Sequence, residues 1–274
     1  MSLVSDSESE NLFYHNLTVG VMEILEGTEG VQDIAVEKRL PCERVLLSSW
    51  EQRHCCTLPE DLRQFYLSTD GFRLVWNYRY TGQVLPVGNM RVNAISELRR
   101  VGGLKSGGDA DCPNPLDAEA CWRGEQQEEG LQRPSLGAHC KVFELDPCGG
   151  LGKVCLAYVG GAERELQRHG PSVWLLDRCC RWHPLARGFT QYFRMMLVHL
   201  GLPQWQFRHT PAGLTPWAEQ MFAMIAPHLL QNDNFPTHGE EWDLETHSVD
   251  PAIFKTQRKT SRKRSDAKPP TLPD

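Results

Sequence analysis

Between Thr57 and Tyr80 a helix signal runs directly into a strand signal, with a single turn between them. Thr57-Leu58-Pro59 opens the helix, its proline suited to the first turn, and Glu60 and Asp61 favour the positive end of the helix dipole. Leu62, Phe65 and Tyr66 recur at helical spacing, and Asp70-Gly71 supplies the stop. From there Phe72, Leu74, Trp76, Tyr78 and Tyr80 alternate without a miss, which is the period of a half-buried strand. Thr81-Gly82-Gln83 then turns the chain into a second strand through Val84 and Leu85. Helix and hairpin in direct succession point to an α+β fold.

The remaining signals agree. Leu17, Val21, Ile24 and Leu25 form a helical stripe over 12–26, with Gly27 as its C-cap. Residues 31–36 read as a short strand, and 43–52 as a helix containing Val45, Leu46, Leu47 and Trp50. Two strand runs, 141–146 and 153–158, flank Pro147-Cys148-Gly149-Gly150-Leu151-Gly152 and predict a hairpin. A third strand covers 172–177. Phe189, Tyr192, Phe193, Met196, Leu197 and Leu200 predict a helix over 185–200 that covers one face of the sheet, with Gly201 and Pro203 ending it. A last helix opens at Thr215-Pro216 and runs to about Ala226. The expected architecture is one domain over 12–226, with a mixed or antiparallel sheet flanked by helices.

Three stretches lack apolar period. The acidic start, 1–11, is expected to be disordered. Residues 102–138, rich in glycine, proline and acids, predict a disordered insertion. After 226 comes a loop-rich extension to 254, and then a disordered tail over 255–274. That tail carries seven cations against two acids, a net of +5, so residues 1–254 carry −11 of a total of −6. An acidic body with a basic tail results. With 40% hydrophobic and 23% charged residues, the chain is not wholly disordered, collagenous or coiled-coil.

No run of about 18 apolar residues could cross a bilayer, and the first residues have neither a basic nor an apolar signal-peptide region. The ten cysteines are therefore expected to be reduced. None is spaced C-x-x-C, and no histidines are spaced i, i+4, so no metal site is predicted. Gly149-Gly150-Leu151-Gly152-Lys153 is not a phosphate loop: Pro147 stands where a glycine is needed and Val154 where a Ser or Thr should follow. Cys55-Cys56 or Cys179-Cys180, with His54 or His183 as base, are the only nucleophile candidates, and a cysteine-dependent hydrolase is the rival enzyme reading. His183 and His199 read as core or boundary histidines. The basic tail, with Lys259, Arg262, Lys263 and Arg264, reads as a solubilising tail, a nuclear-localisation-like patch or an arm for an acidic partner. Without interleaved aromatics it is not expected to bind nucleic acid.

Leu58-Pro59-x-x-Leu62-x-x-Phe65 followed by Asp70-Gly71-Phe72 resembles the SUKH superfamily, with Asp70 in place of the usual Asn. Longer blocks are sharper. Ser48–Gln52, Pro59-Glu60-Asp61 with Phe65-Tyr66-Leu67, Val142–Asp146, Gly152–Leu156, Trp174–Arg178 and Leu200–Gln206 occur in order. Together they resemble the second-subunit family of tubulin polyglutamylase complexes. That resemblance implies a non-catalytic subunit with no catalytic residue, cofactor or metal of its own. It implies partnership with the other subunits, including a tubulin tyrosine ligase-like catalytic subunit, and with tubulin and microtubules. It also implies a place in the cytoplasm and cytoskeleton, at the centrosome or centriolar satellites. Trp205, Trp217 and Trp242 are the expected partner anchors, together with the tail cations, since interfaces favour such residues. Trp50 and Trp174 are expected in the core. The alternative is an interaction module of another assembly.

Overall fold

The computed structural model describes Tyr14 and residues 18–102, 133–136, 140–159 and 170–231. Its helices are α1 (18–27), α2 (Arg44–His54), α3 (Glu60–Ser68), α4 (Phe189–Val198), α5 (Pro216–Ile225) and the single turn α6 (His228–Gln231). Its strands form two antiparallel ladders. β1 (Val31–Val36), β2 (Phe72–Tyr80) and β3 (Gln83–Val92) make the first, in that order. β4 (Lys141–Asp146), β5 (Gly152–Tyr158), β6 (Ser172–Asp177) and β7 (Trp182–Ala186) make the second. Every strand pair is antiparallel, so the α+β expectation holds in its antiparallel form.

Residues 93–101 join the ladders. The Asn93 N–H donates to the Leu145 carbonyl at 2.7 Å, and Val101 N–H to Val142 O at 2.8 Å, so this stretch runs along the edge of β4. The buried Tyr66 hydroxyl holds the same stretch from the helical side through Asn93 O at 2.9 Å.

The helix-to-strand signal folds as its residues dictate. Leu62, Phe65 and Tyr66 are the buried stripe of α3, and Phe72, Leu74 and Trp76 bury alternately from β2, while Tyr78 and Tyr80 emerge toward solvent. Asp70 supplies a side-chain acceptor to Ile95 N–H at 2.8 Å, and Gly71 turns the chain at φ 89°. Tyr14, Phe65, Phe72, Phe189 and Phe193 form an aromatic core with ring centroids 4.8–5.8 Å apart, which locks α3 and β2 to α4. Such edge-to-face and tilted pairs add specificity to burial. A second cluster of Val101, Leu136, Cys140, Val142, Cys155, Ala157, Trp174, Leu176 and Trp182 packs together with Cys180. The second sheet is thus buried on both faces, which is why β5 and β6 read as continuous apolar runs rather than alternations.

Several boundaries differ from the expectations. Pro59, extended at φ −61° and ψ 148°, stands just outside α3 as its N-cap rather than in the first turn. Gly27 is the last residue of α1, and the left-handed turn into β1 is made by Gly30 at φ 85°. The helix expected from Leu185 begins at Phe189, because Leu185 and Ala186 belong to the edge strand β7. Gly102 and 133–136 fall within the expected insertion, yet Leu136 is buried in the second core; the rest of that stretch lies outside the described residues. So do 1–11 and the tail over 255–274. The α6 turn continues helical structure past 226 into the expected extension.

Candidate interaction surface

The candidate tryptophans divide by their neighbours. Trp50 and Trp174 are core residues, as expected. Trp205 is not an exposed anchor: it is 1% exposed, stacked on His199 at 5.1 Å and tilted against Tyr192 at 5.7 Å. The reason is the turn at Leu200-Gly201, which folds the 3-10 segment 205–209 back against α4. Trp217 is 46% exposed. It sits in the first turn of α5, whose start is set by Pro216 and by the Thr215 hydroxyl accepting from Ala218 N–H at 3.5 Å. Gln220, three residues on and so on the same side, reaches the Tyr80 hydroxyl at 3.5 Å at the tip of the β2–β3 hairpin, beside exposed Val84. Trp242, Lys259, Arg262, Lys263 and Arg264 lie outside the described residues.

A second exposed face lies on α2 and the loop before it. Leu40 is 84% exposed, Val45 74% and Leu46 50%. Of the apolar residues that the sequence places on this helix, only Leu47 and Trp50 are buried. Successive helical residues point about 100° apart, so a run of three apolar residues cannot all face one core. That spacing was the available signal.

At the other end of α2, cations converge from three parts of the chain. Arg53 lies in the last turn, Arg100 pairs with Phe143 beside β4, and Lys141 opens β4. The Lys141 ammonium donates to the Cys55 carbonyl, and the Arg100 guanidinium to Cys140 O at 3.3 Å. Between them the His54 ring packs on Trp50 and Phe143, with centroids 4.7 and 5.0 Å away. Its pKa is lowered by burial first, and then by Arg53, Arg100 and Lys141.

Among the cysteines of the rival enzyme reading, Cys56 is shifted away from reactivity. Burial pushes the Cys56 thiol up to about 11, and Cys148 also rises through burial; a nucleophilic cysteine needs the opposite shift. His183 Nε2 lies 2.9 Å from Asp177 Oδ2, and Asp177 Oδ1 accepts from Arg181 N–H at 2.8 Å, so the carboxylate ties the β6–β7 turn together. His199 is a satisfied core histidine, its Nδ1 2.7 Å from Met195 O. The glycine run forms the β4–β5 turn, and Lys153 reaches Glu144 at 2.8 Å across the hairpin rather than a phosphate. Among the described residues, no group of three or more His, Cys, Asp or Glu is placed to hold a metal ion, and no helix is long and apolar enough to cross a membrane.

No protein-family model matches the chain, and no solved structure matches it. Curated relatives do. The chain is 38% identical over 244 residues to tubulin polyglutamylase complex subunit 2 of Rattus norvegicus, covering 89% of this chain and 81% of that one. The Mus musculus protein of the same name matches at 38% over the same share of each chain. The Homo sapiens protein matches at 36%, over 89% of this chain and 79% of its own. A match along nearly its whole length places this chain in the tubulin polyglutamylase complex subunit 2 family.

Proposed function

We propose that this chain is a non-catalytic structural subunit of a tubulin polyglutamylase complex. In this reading it helps assemble the complex and brings a tubulin tyrosine ligase-like catalytic subunit to tubulin and microtubules. Its place is the cytoplasm and cytoskeleton, around the centrosome and centriolar satellites. The observation that carries the reading is the 36–38% identity to complex subunits over 89% of the chain. It is supported by the raised pKa of Cys56, which disfavours that thiolate, and by the exposed apolar side chains at Trp217 and on α2, which suit a subunit contact. The SUKH-like kinship suggested by the α3–β2 motif belongs to the same proposal.

The test is purification of the tagged whole chain from cells at moderate salt, with mass spectrometry of what accompanies it. A ligase-like enzyme and its companions in fixed stoichiometry are expected. Recovery of an unrelated assembly without a ligase would reduce the chain to an interaction module of that other assembly.

A further inference from the structure

We propose that Arg53, Arg100 and Lys141, gathered around the C-terminal turn of α2, form a docking surface for a run of consecutive glutamates on a polypeptide partner. This rests on the polyglutamylase reading and deepens it, by assigning to a non-catalytic subunit the recognition of glutamate chains.

Three observations carry the inference. First, none of the three cations forms an ion pair among the described residues, whereas Arg39, Arg63, Arg91 and Lys153 all pair with glutamates. Arg53 and Arg100 are exposed and Lys141 is half-exposed, so their charge faces water. Second, the local structure does not neutralise them. The α2 C-terminus that Lys141 caps carries only about half a negative charge. The nearest carboxylate of α2, Glu51, is already bound by the Arg63 guanidinium and the Leu58 N–H. A surplus of about two and a half positive charges therefore remains. Third, three separate parts of the chain are needed to assemble it, over a floor of three mutually packed rings, His54, Trp50 and Phe143.

Charge density selects the occupant. The chain's own stretch 103–132 holds seven acids and two cations in thirty residues, while a glutamate run offers one carboxylate per residue. Three cations so close together gain more from the denser ligand.

The test uses the full chain and a fluorescent oligoglutamate peptide, with binding read by anisotropy. The triple variant Arg53→Gln, Arg100→Gln, Lys141→Gln is expected to weaken binding about tenfold at low salt, the combined effect of three exposed charge pairs. The gap should narrow as salt shortens the screening length from about 30 Å at 0.01 M toward about 10 Å at 0.1 M. The charge-keeping variant Arg53→Lys, Arg100→Lys, Lys141→Arg must fold and bind like wild type, which guards against a folding artefact. An equal loss in the control triple Arg73→Gln, Arg79→Gln, Arg178→Gln would overturn the proposal in favour of net charge alone. Three other results would also overturn it. One is tighter binding of a single-stranded oligonucleotide at the same residues. Another is peptide binding that arises only after the seven acids of 103–132 are changed to amides. The third is loss of binding on removing 255–274 with none in the triple variant. Failure here with the complex still recovered from cells would leave the subunit reading standing.

Discussion

Asp146 ends β4 with its carboxylate buried, accepting from Cys148 N–H at 2.9 Å and facing the Tyr192 hydroxyl and the Gln206 amide at 3.4 and 3.5 Å. Burial outweighs these hydrogen bonds and raises its pKa to about 6 from 3.8. The fold therefore favours protonated Asp146: that stabilisation is complete below the unfolded value and is lost as pH rises through about 6. His199 behaves in the opposite sense. Burial lowers its pKa from 6.5 to about 4, so its contribution is complete above the unfolded value and is lost as pH falls through about 4. Each effect is on the order of 3 kcal/mol and the two oppose each other. Urea unfolding across this window separates them. Relative to wild type, Asp146→Asn should lose stability as pH falls from about 6.5 to 4 and His199→Gln should gain it; parallel curves would refute both assignments. At the same scale, Trp205→Ala should cost about 3–5 kcal/mol, as a core aromatic does, and Trp217→Ala no more than about 0.5 kcal/mol. Calorimetry of the two variants would show whether Trp217 is free for a partner. The sequence held both residues as candidates because an aromatic side chain has the same composition value inside or outside.

Among the elements, α4 shows what local pattern misses. Its N-cap, Gly188, offers no side-chain acceptor, and the acceptor comes instead from Asp61 in α3. Asp61 Oδ2 takes the Thr190 N–H at 2.8 Å and the Thr190 hydroxyl at 3.2 Å, from 129 residues away in sequence. Local pattern ties Asp61 to the dipole of its own helix, and it does stand in that helix's first turn. Asp61→Ala should therefore destabilise by about 1–2 kcal/mol, the worth of an N-cap, and Asp61→Asn should recover most of it. Denaturant midpoints for the two variants decide this; equal losses would mean that the charge, not the acceptor, matters. β1, β2 and β6 were legible to within a residue because alternation or an apolar run lies wholly inside each. β7 was not. Its Pro184 argues against a strand, yet β7 is the outer member of its ladder, where a missing N–H costs no ladder bond. Leu185 was then absorbed into the neighbouring helical pattern.

At the scale of the whole molecule, the acidic body and basic tail remain the dominant charge feature, −11 against +5. If the tail steers the chain toward acidic tubulin tails, deleting 255–274 should weaken microtubule co-sedimentation at low salt. The difference should vanish as the screening length falls below about 10 Å. Unchanged binding at low salt would leave the tail a solubilising segment. The α+β architecture of strands flanked by helices and the family are both readable from residues in order along the chain, with the strand sense open between mixed and antiparallel, since periodicity, turn chemistry and block resemblance are local properties. Only the tertiary structure divided the strands into two ladders joined through 93–101, and only it turned Trp205 inward and Val45 and Leu46 outward. It also brought Arg53, Arg100 and Lys141 to one place. Burial and the summing of charge depend on contacts between residues far apart in sequence, and no local pattern encodes them.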